Sequence, residues 1–237
     1  MELLIIPDCH LKPDMFSQAA DIMSCQGITR AVCLMDIADD WGKETDLGLY
    51  SGTYDAAIAF SKSHPETLWC YGNHDISYLW ERYESGYSPL AQHVVTKKLY
   101  ELRSTLPDPG QLAFVHRAGR VLFSHGGISE EFVRRFIPMR YHGDTDRTLE
   151  KINSLGPDEM WQDFSPLWLR PQYNSDRMYR PRKFIQVVGH TPVKSVTKER
   201  NIISCDVFST YRNGEPYGSR EFPIIDTETG QYRCVTS

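Results

Sequence analysis

Carboxylate, imidazole and amide side chains stand directly behind apolar runs at five places in this chain. Asp8-Cys9-His10 follows Leu3 to Ile6, and Asp36-Ile37-Ala38-Asp39 follows Ala31 to Met35. Gly72-Asn73-His74-Asp75 follows Thr67 to Tyr71, Ser124-His125-Gly126-Gly127 follows Val121 to Phe123, and Gly189-His190-Thr191-Pro192 follows Ile185 to Val188. Together these donors form a hard-to-borderline ligand set suited to divalent cations such as Mn, Fe or Zn. One Asp-x-His alone reads equally well as a strand-end cap or a satisfied core group. Five such motifs point to a metal centre, because each strand end delivers its side chain to one sheet edge on a rigid support.

The elements that must position these residues alternate between apolar runs and helical patterns, which favours an α/β architecture. Apolar spacing predicts helices over Met15 to Cys25, stopped by Gly27, and over Tyr54 to Ser63, ended by His64-Pro65. A third, Leu90 to Leu106, is expected to be the longest. Shorter helices are predicted over Glu130 to Ile137 and over Thr148 to Leu155, the latter closed by Gly156-Pro157. Phe114 to His116 and Arg120 to Phe123, split by Ala118-Gly119, read as a hairpin that delivers His125. Three apolar runs between Asn201 and Tyr232 read as antiparallel strands. Asp40 to Thr53 is polar and reads as a loop at the rim of the site. Leu167 to Lys183 has no clean periodicity but carries four arginines and two tyrosines, a basic-aromatic patch in an acidic chain.

The order and wording of the five motifs resemble the calcineurin-like metallophosphoesterases, from Asp8 to about Asp206. Gly189-His190-Thr191-Pro192 and Trp168-Leu169-Arg170 look most like the bacterial phosphoprotein-phosphatase branch, which includes the symmetrical diadenosine tetraphosphatases. This resemblance implies a four-layer α/β/β/α sandwich of two mixed sheets with flanking helices and a site at one edge. It implies two divalent metal ions, Mn first and Fe, Zn or Ni as alternatives. Asp8, His10 and Asp36 would hold one ion, and Asn73, His125, His190 and the bridging Asp36 the other. His74 matches the general acid and Asp39 the carboxylate that orients it; an imidazole titrating near neutrality suits that task. Arg170 matches a phosphate-binding arginine, whose fork fits a phosphoryl group bidentately. Asp206 matches a downstream Asp that we read as supporting the ligands from behind or as structural.

Two positions depart from the branch. Asp40 stands where an arginine usually grips the phosphate, and Met35 where a glycine usually precedes the bridging Asp. Asp40 is expected to turn outward and pair with an arginine such as Arg177, Arg180 or Arg182, leaving Arg170 as the phosphate clamp. The alternative is that it faces the site and favours a diester or a substrate carrying its own cation. His64, His93, His116 and His142 lie outside the motifs and read as surface or core histidines. Cys9 alternates to the opposite side of an extended chain from its neighbours and reads as a packed thiol.

Composition bounds the function. At 237 residues the chain fits one domain spanning 1–237. A net charge of −5 supplies no global basic field, which disfavours an anionic membrane or nucleic acid as partner, except as a nucleotide substrate. No apolar run approaches the roughly 20 residues of a membrane helix. Leu3 to Ile6 reads as a buried strand rather than a signal peptide. The six cysteines show no CxxC pair, which suits buried thiols in the cytoplasm. The resulting expectation is hydrolysis of a phosphomonoester, on a phosphoprotein or small metabolite, by attack of a metal-bridging hydroxide. Hydrolysis of a dinucleoside polyphosphate or another nucleotide is the alternative, and a non-catalytic binding scaffold of the same fold is a third reading.

Overall fold

A computed structural model describes residues 1–173 and 177–236. Among the described residues, eleven strands form two mixed sheets. The first contains β1 (Glu2–Ile6), β2 (Ala31–Cys33), β3 (Leu68–Cys70) and β4 (Leu112–Ala113) as parallel neighbours. The second is built on β5 (Val115–Ala118), β6 (Val121–Ser124), β7 (Ile185–Val188), β8 (Thr197–Glu199) and β9 (Ile202–Ser204). In it β6, β7 and β9 run parallel, with β5 and β8 antiparallel at the edges. Strands β10 (Phe222–Asp226) and β11 (Tyr232–Val235) return to the first sheet antiparallel, so its order is β11-β10-β1-β2-β3-β4.

Strands β1, β2, β6 and β7 are buried over nearly their whole length and read as continuous apolar runs, as parallel strands covered on both faces do. Helices cover the outer sides: α1 (Asp14–Gln26) packs on β1 and on α2 (Leu47–Ser63), and α3 (Asn73–Trp80) and α2 both pack on α4 (Gln92–Thr105). Across the second sheet, α5 (Glu130–Phe136) contacts α6 (Thr145–Asn153), which rests on β5; α7 (Pro157–Met160) follows. One cluster of buried apolar side chains draws on both sheets, from Ile5 and Val32 to Phe123 and Val187. This is the expected sandwich of two mixed sheets with flanking helices. No helix among the described residues is long and apolar enough to cross a membrane.

Several local expectations change. The longest helix is α2, with 17 residues against 14 in α4. It begins at Leu47 because the Asp46 side chain accepts the Leu49 N–H, so the second half of the supposed 40–53 rim loop is helical. Gly48 and Gly52 had hidden that turn. Helix α6 ends at Asn153, and Gly156-Pro157 starts α7 rather than closing α6, as Pro in a first helical turn does. The 201–232 region is antiparallel except where β9 lies parallel to β7. Helix α3 starts inside a motif read as a strand end. The middle of the 167–183 patch, residues 174–176, lies outside the described residues.

Candidate metal centre

All six candidate ligands leave the C-terminal ends of parallel strands: Asp8 and His10 after β1, Asp36 after β2, Asn73 after β3, His125 after β6 and His190 after β7. The chain must turn sharply there to aim donors into one cleft. His10, Asp36, Asp39 and His190 accordingly sit at positive φ of 41°, 40°, 62° and 61°, a region costly for L-residues. Two glycines make the approach possible. A Cβ on Gly72 would overlap the Asp36 carboxylate, and one on Gly189 the Asp8 carboxylate.

Four groups of donor atoms, each within 4.8 Å, form among the described residues: His10 with Asp36 and His74, Asp36 with His125 and His190, Asp8 with His10 and Asp206, and Asp39 with His74 and Glu84. Asp36 belongs to two of them. Its Oδ2 lies 3.1 Å from His125 Nε2 and 4.0 Å from His10 Nε2, while its Oδ1 accepts the His74 backbone N–H at 2.9 Å. The His10 Nδ1 faces the Asp39 carbonyl at 2.9 Å, and the His125 Nδ1 faces the Leu34 carbonyl at 3.0 Å. Each ring therefore gives its Nδ1 proton to backbone and turns an Nε2 lone pair inward, the usual support for a metal-binding imidazole.

The donors fit cations. His125 Nε2 meets Asn73 Oδ1 at 2.9 Å beside Asp36, so three acceptor atoms converge on a space that demands positive charge. A proton can stand in: burial opposes it, but Asp36 and Asp8 carry the His125 imidazole up to about 9. Asp36 shows the converse, since burial raises a carboxyl but His125, His74 and His10 hold this one well below the carboxylate range. Burial and then His125 push His190 well down, leaving a neutral lone pair. Asp8 Oδ1 and His190 Nε2 are buried with no hydrogen-bond partner among the described residues, as ligand atoms are before a cation arrives.

Asp39 and His74 come together as expected, with His74 Nδ1 donating to Asp39 Oδ2 at 3.0 Å. The other Asp39 oxygen accepts the hydroxyls of Tyr50 and Tyr78 at 2.5 and 2.6 Å. Tyr54 of α2 instead donates to Asp75 at 2.5 Å, and Asp75 also accepts the Ile37 and Ala38 N–H groups that hold the 36–39 loop. Arg170 lies on the cleft wall and donates to the His190 carbonyl at 2.7 Å and to Thr191 Oγ1 at 3.3 Å. Cys9 is fully buried, as expected.

Asp40 does not meet the arginines of the 167–183 loop. Its carboxylate pairs with Lys12 Nζ at 3.0 Å and accepts the Thr210 hydroxyl, so it remains on the cleft wall but neutralised. Arg177 turns to Glu130 at 3.2 Å, and Arg180 donates to Thr145 at 2.7 Å. Sequence reasoning also missed Glu84, which lines the cleft, and it read Asp206 as supporting the ligands from behind or as structural, whereas its carboxylate groups with the candidate ligands Asp8 and His10.

Met35 occupies a left-handed backbone position, φ 58°, while its side chain is fully buried. This yields a stability test. Truncation to Ala or Gly removes the same buried thioether, a loss of about 2–5 kcal/mol. Glycine then relieves about 1–2 kcal/mol of left-handed strain against its own cost of about 0.5–1 kcal/mol. Met35→Gly should therefore unfold at higher denaturant than Met35→Ala, the reverse of the usual order, and an equal or lower midpoint would show that this backbone is unstrained.

The sequence matches the calcineurin-like phosphoesterase family over residues 1–217. No curated protein matches it. Among solved structures, a cold-active protein-tyrosine phosphatase from a Shewanella species is 16% identical, with a TM-score of 0.60 over 99% of this chain and 80% of that one. A metallophosphoesterase from Sphaerobacter thermophilus is 14% identical, with a TM-score of 0.47 over 99% and 88%.

Proposed function

The chain belongs to the calcineurin-like phosphoesterase family and is a metal-dependent phosphoric ester hydrolase, and we propose that it is a binuclear phosphomonoesterase formed by one domain over 1–237. The observation that carries this reading is the sharing of Asp36 between two clusters of inward-facing acceptors. Asp8, His10 and Asp36, joined by Asp206, would hold one cation, and Asp36, Asn73, His125 and His190 the second. Cations held there supply Lewis acidity toward phosphoryl oxygens and activate water near neutral pH.

The chain's own residues do the rest. Arg170, the one Arg or Lys of the cleft wall among the described residues, meets the phosphoryl oxygens. Asp39 accepts a hydrogen bond from His74 Nδ1–H, which leaves Nε2–H to protonate the departing alkoxide. Burial alone would push the His74 imidazole down, but Asp36, Asp39 and Glu84 carry it above its ordinary range, the direction a proton donor needs. Substrates of this chemistry are phosphorylated small molecules or exposed phosphorylated residues of proteins.

Lys12 and Asp40 favour a second reading at one point. With Asp40 and Lys12 cancelling each other, Arg170 is the one basic side chain of the cleft wall among the described residues left to meet a dianion, whereas a diester presents a single negative charge. Rates on nitrophenyl phosphate and bis(nitrophenyl) phosphate with Mn separate the two. The monoester should be the better substrate, Arg170→Ala should lower its turnover by roughly 10²–10³-fold, and Asp40→Ala should change it only a few fold. A faster diester, together with a tenfold or greater gain in monoester turnover in Asp40→Arg, would favour the second reading.

A further inference from the structure

Glu84 belongs to none of the sequence motifs, yet its carboxylate reaches the same imidazole nitrogen as Asp39. Glu84 Oε1 lies 2.7 Å from His74 Nδ1, and Asp39 Oδ2 lies 3.0 Å from it. A single Nδ1–H serves two oxygens only through a weaker, shared hydrogen bond. The hydrogen bond runs to Asp39, and Glu84 Oε1 is left buried without a hydrogen-bond partner among the described residues. A buried carboxylate oxygen in that state costs free energy unless it is compensated. The group beside it is the His74 ring.

The turn that carries Glu84 is built to hold this contact. Helix α3 ends at Trp80, its C-cap Glu81 takes a left-handed φ of 51°, and the chain folds back toward the cleft. Gly86, at φ 101°, passes beside the ring edge: a Cβ there would stand 3.2 Å from His74 Cε1, so the position leaves room for little more than glycine. Beyond it, Tyr87 stacks on Tyr78 at 4.4 Å, and the Ser88 N–H donates to the Tyr78 hydroxyl at 2.8 Å. Tyr78 is itself a donor to Asp39, so the turn is anchored on the carboxylate that accepts the His74 Nδ1–H.

We propose that Glu84 is a positioning residue for His74: Asp39 fixes the tautomer, while Glu84 and the Gly86 backbone fix the rotation of the ring so that Nε2 faces the leaving-group oxygen. Asp39 cannot do both tasks, because its second oxygen is committed to Tyr50 and Tyr78. This assignment rests on the reading of His74 as the proton donor. It predicts a defect in turnover rather than in substrate affinity, confined to esters whose leaving group needs a proton.

The test is a double-mutant cycle between Glu84→Gln and His74→Asn, assayed on an alkyl phosphate and on nitrophenyl phosphate, with metal content measured for each variant. Glu84→Gln should lower kcat on the alkyl ester about tenfold or more with KM unchanged, and leave the nitrophenyl ester within about threefold. Glu84→Asp should recover part of the loss. In a His74→Asn background, Glu84→Gln should add nothing. In the metal-free protein, Glu84→Gln should move the His74 ring nitrogen resonances, a readout independent of turnover. An additive effect in the double variant, equal losses on both esters, or loss of a bound cation in Glu84→Gln would overturn the assignment. If His74→Asn shows a leaving-group dependence and Glu84→Gln does not, the role of Glu84 fails and that of His74 stands. If His74→Asn shows none, the proton-donor reading fails, and Glu84 loses the function assigned to it.

Discussion

Asp36→Asn should remove both cations at once and lower turnover by roughly 10³-fold or more, whereas Asp8→Asn should mainly weaken one. The asymmetry follows from geometry. Asp36 is common to the cluster with His10 and the cluster with His125 and His190, while Asp8 groups with His10 and Asp206 alone. An amide in place of the carboxylate withdraws the negative charge that lets two cations share one space. It can also turn an N–H toward His125 Nε2, now 3.1 Å from Asp36 Oδ2, and occupy the lone pair a cation needs. The backbone need not change, because an amide oxygen can still accept the His74 N–H that Asp36 Oδ1 accepts at 2.9 Å. Metal analysis after equilibration with Mn is the direct measurement: two ions per chain for the native protein and close to none for Asp36→Asn. A variant that kept one tightly bound ion would show that Asp36 serves a single metal and is no bridge, and at most one ion in the native protein under saturating Mn would overturn the binuclear proposal.

Much of this site is legible in the sequence because strand ends are. The runs before Asp8, Asp36, Asn73, His125 and His190 are apolar enough to be buried on both faces, and that burial places whatever follows them at a sheet edge. What could not be read is contact between loops. Lys12 meets Asp40 across 28 positions, and Glu84 meets His74 around a turn whose residues carry no periodic signal. The arginine-rich segment was the natural partner for Asp40 on charge alone, but Glu130 and Thr145 hold Arg177 and Arg180 elsewhere. Helix α2 was half hidden because two glycines lower its propensity, and with it went Tyr50, a hydrogen-bond donor to Asp39. Asp206 had a visible signal, an acidic residue directly behind the apolar strand β9, but its reach to Asp8 and His10 depends on how the second sheet meets the first.

His74→Asn should lower turnover by roughly 10²–10⁴-fold on alkyl phosphates while both cations stay bound. The ring stands apart from the ligands in one respect: its Nδ1 is engaged by two carboxylates rather than a backbone carbonyl. Carboxylate partners favour a protonated imidazole, and a protonated imidazole cannot coordinate a metal through a nitrogen that carries hydrogen. In the proposed mechanism this arrangement leaves Nε2 as the proton source on the cleft wall, edge-on to His10 with ring centroids 5.3 Å apart. An alkoxide leaving group needs that proton in the transition state; a nitrophenolate does not. The loss in His74→Asn should therefore shrink toward a few fold as the leaving group becomes more acidic, and the slope of log kcat against leaving-group pKa should steepen relative to the native enzyme. Parallel slopes for the two enzymes would mean that His74 acts on the phosphoryl group through its charge and not by proton transfer. Loss of a cation in the variant would instead place His74 among the ligands, a role its position near His10 and Asp36 would then explain.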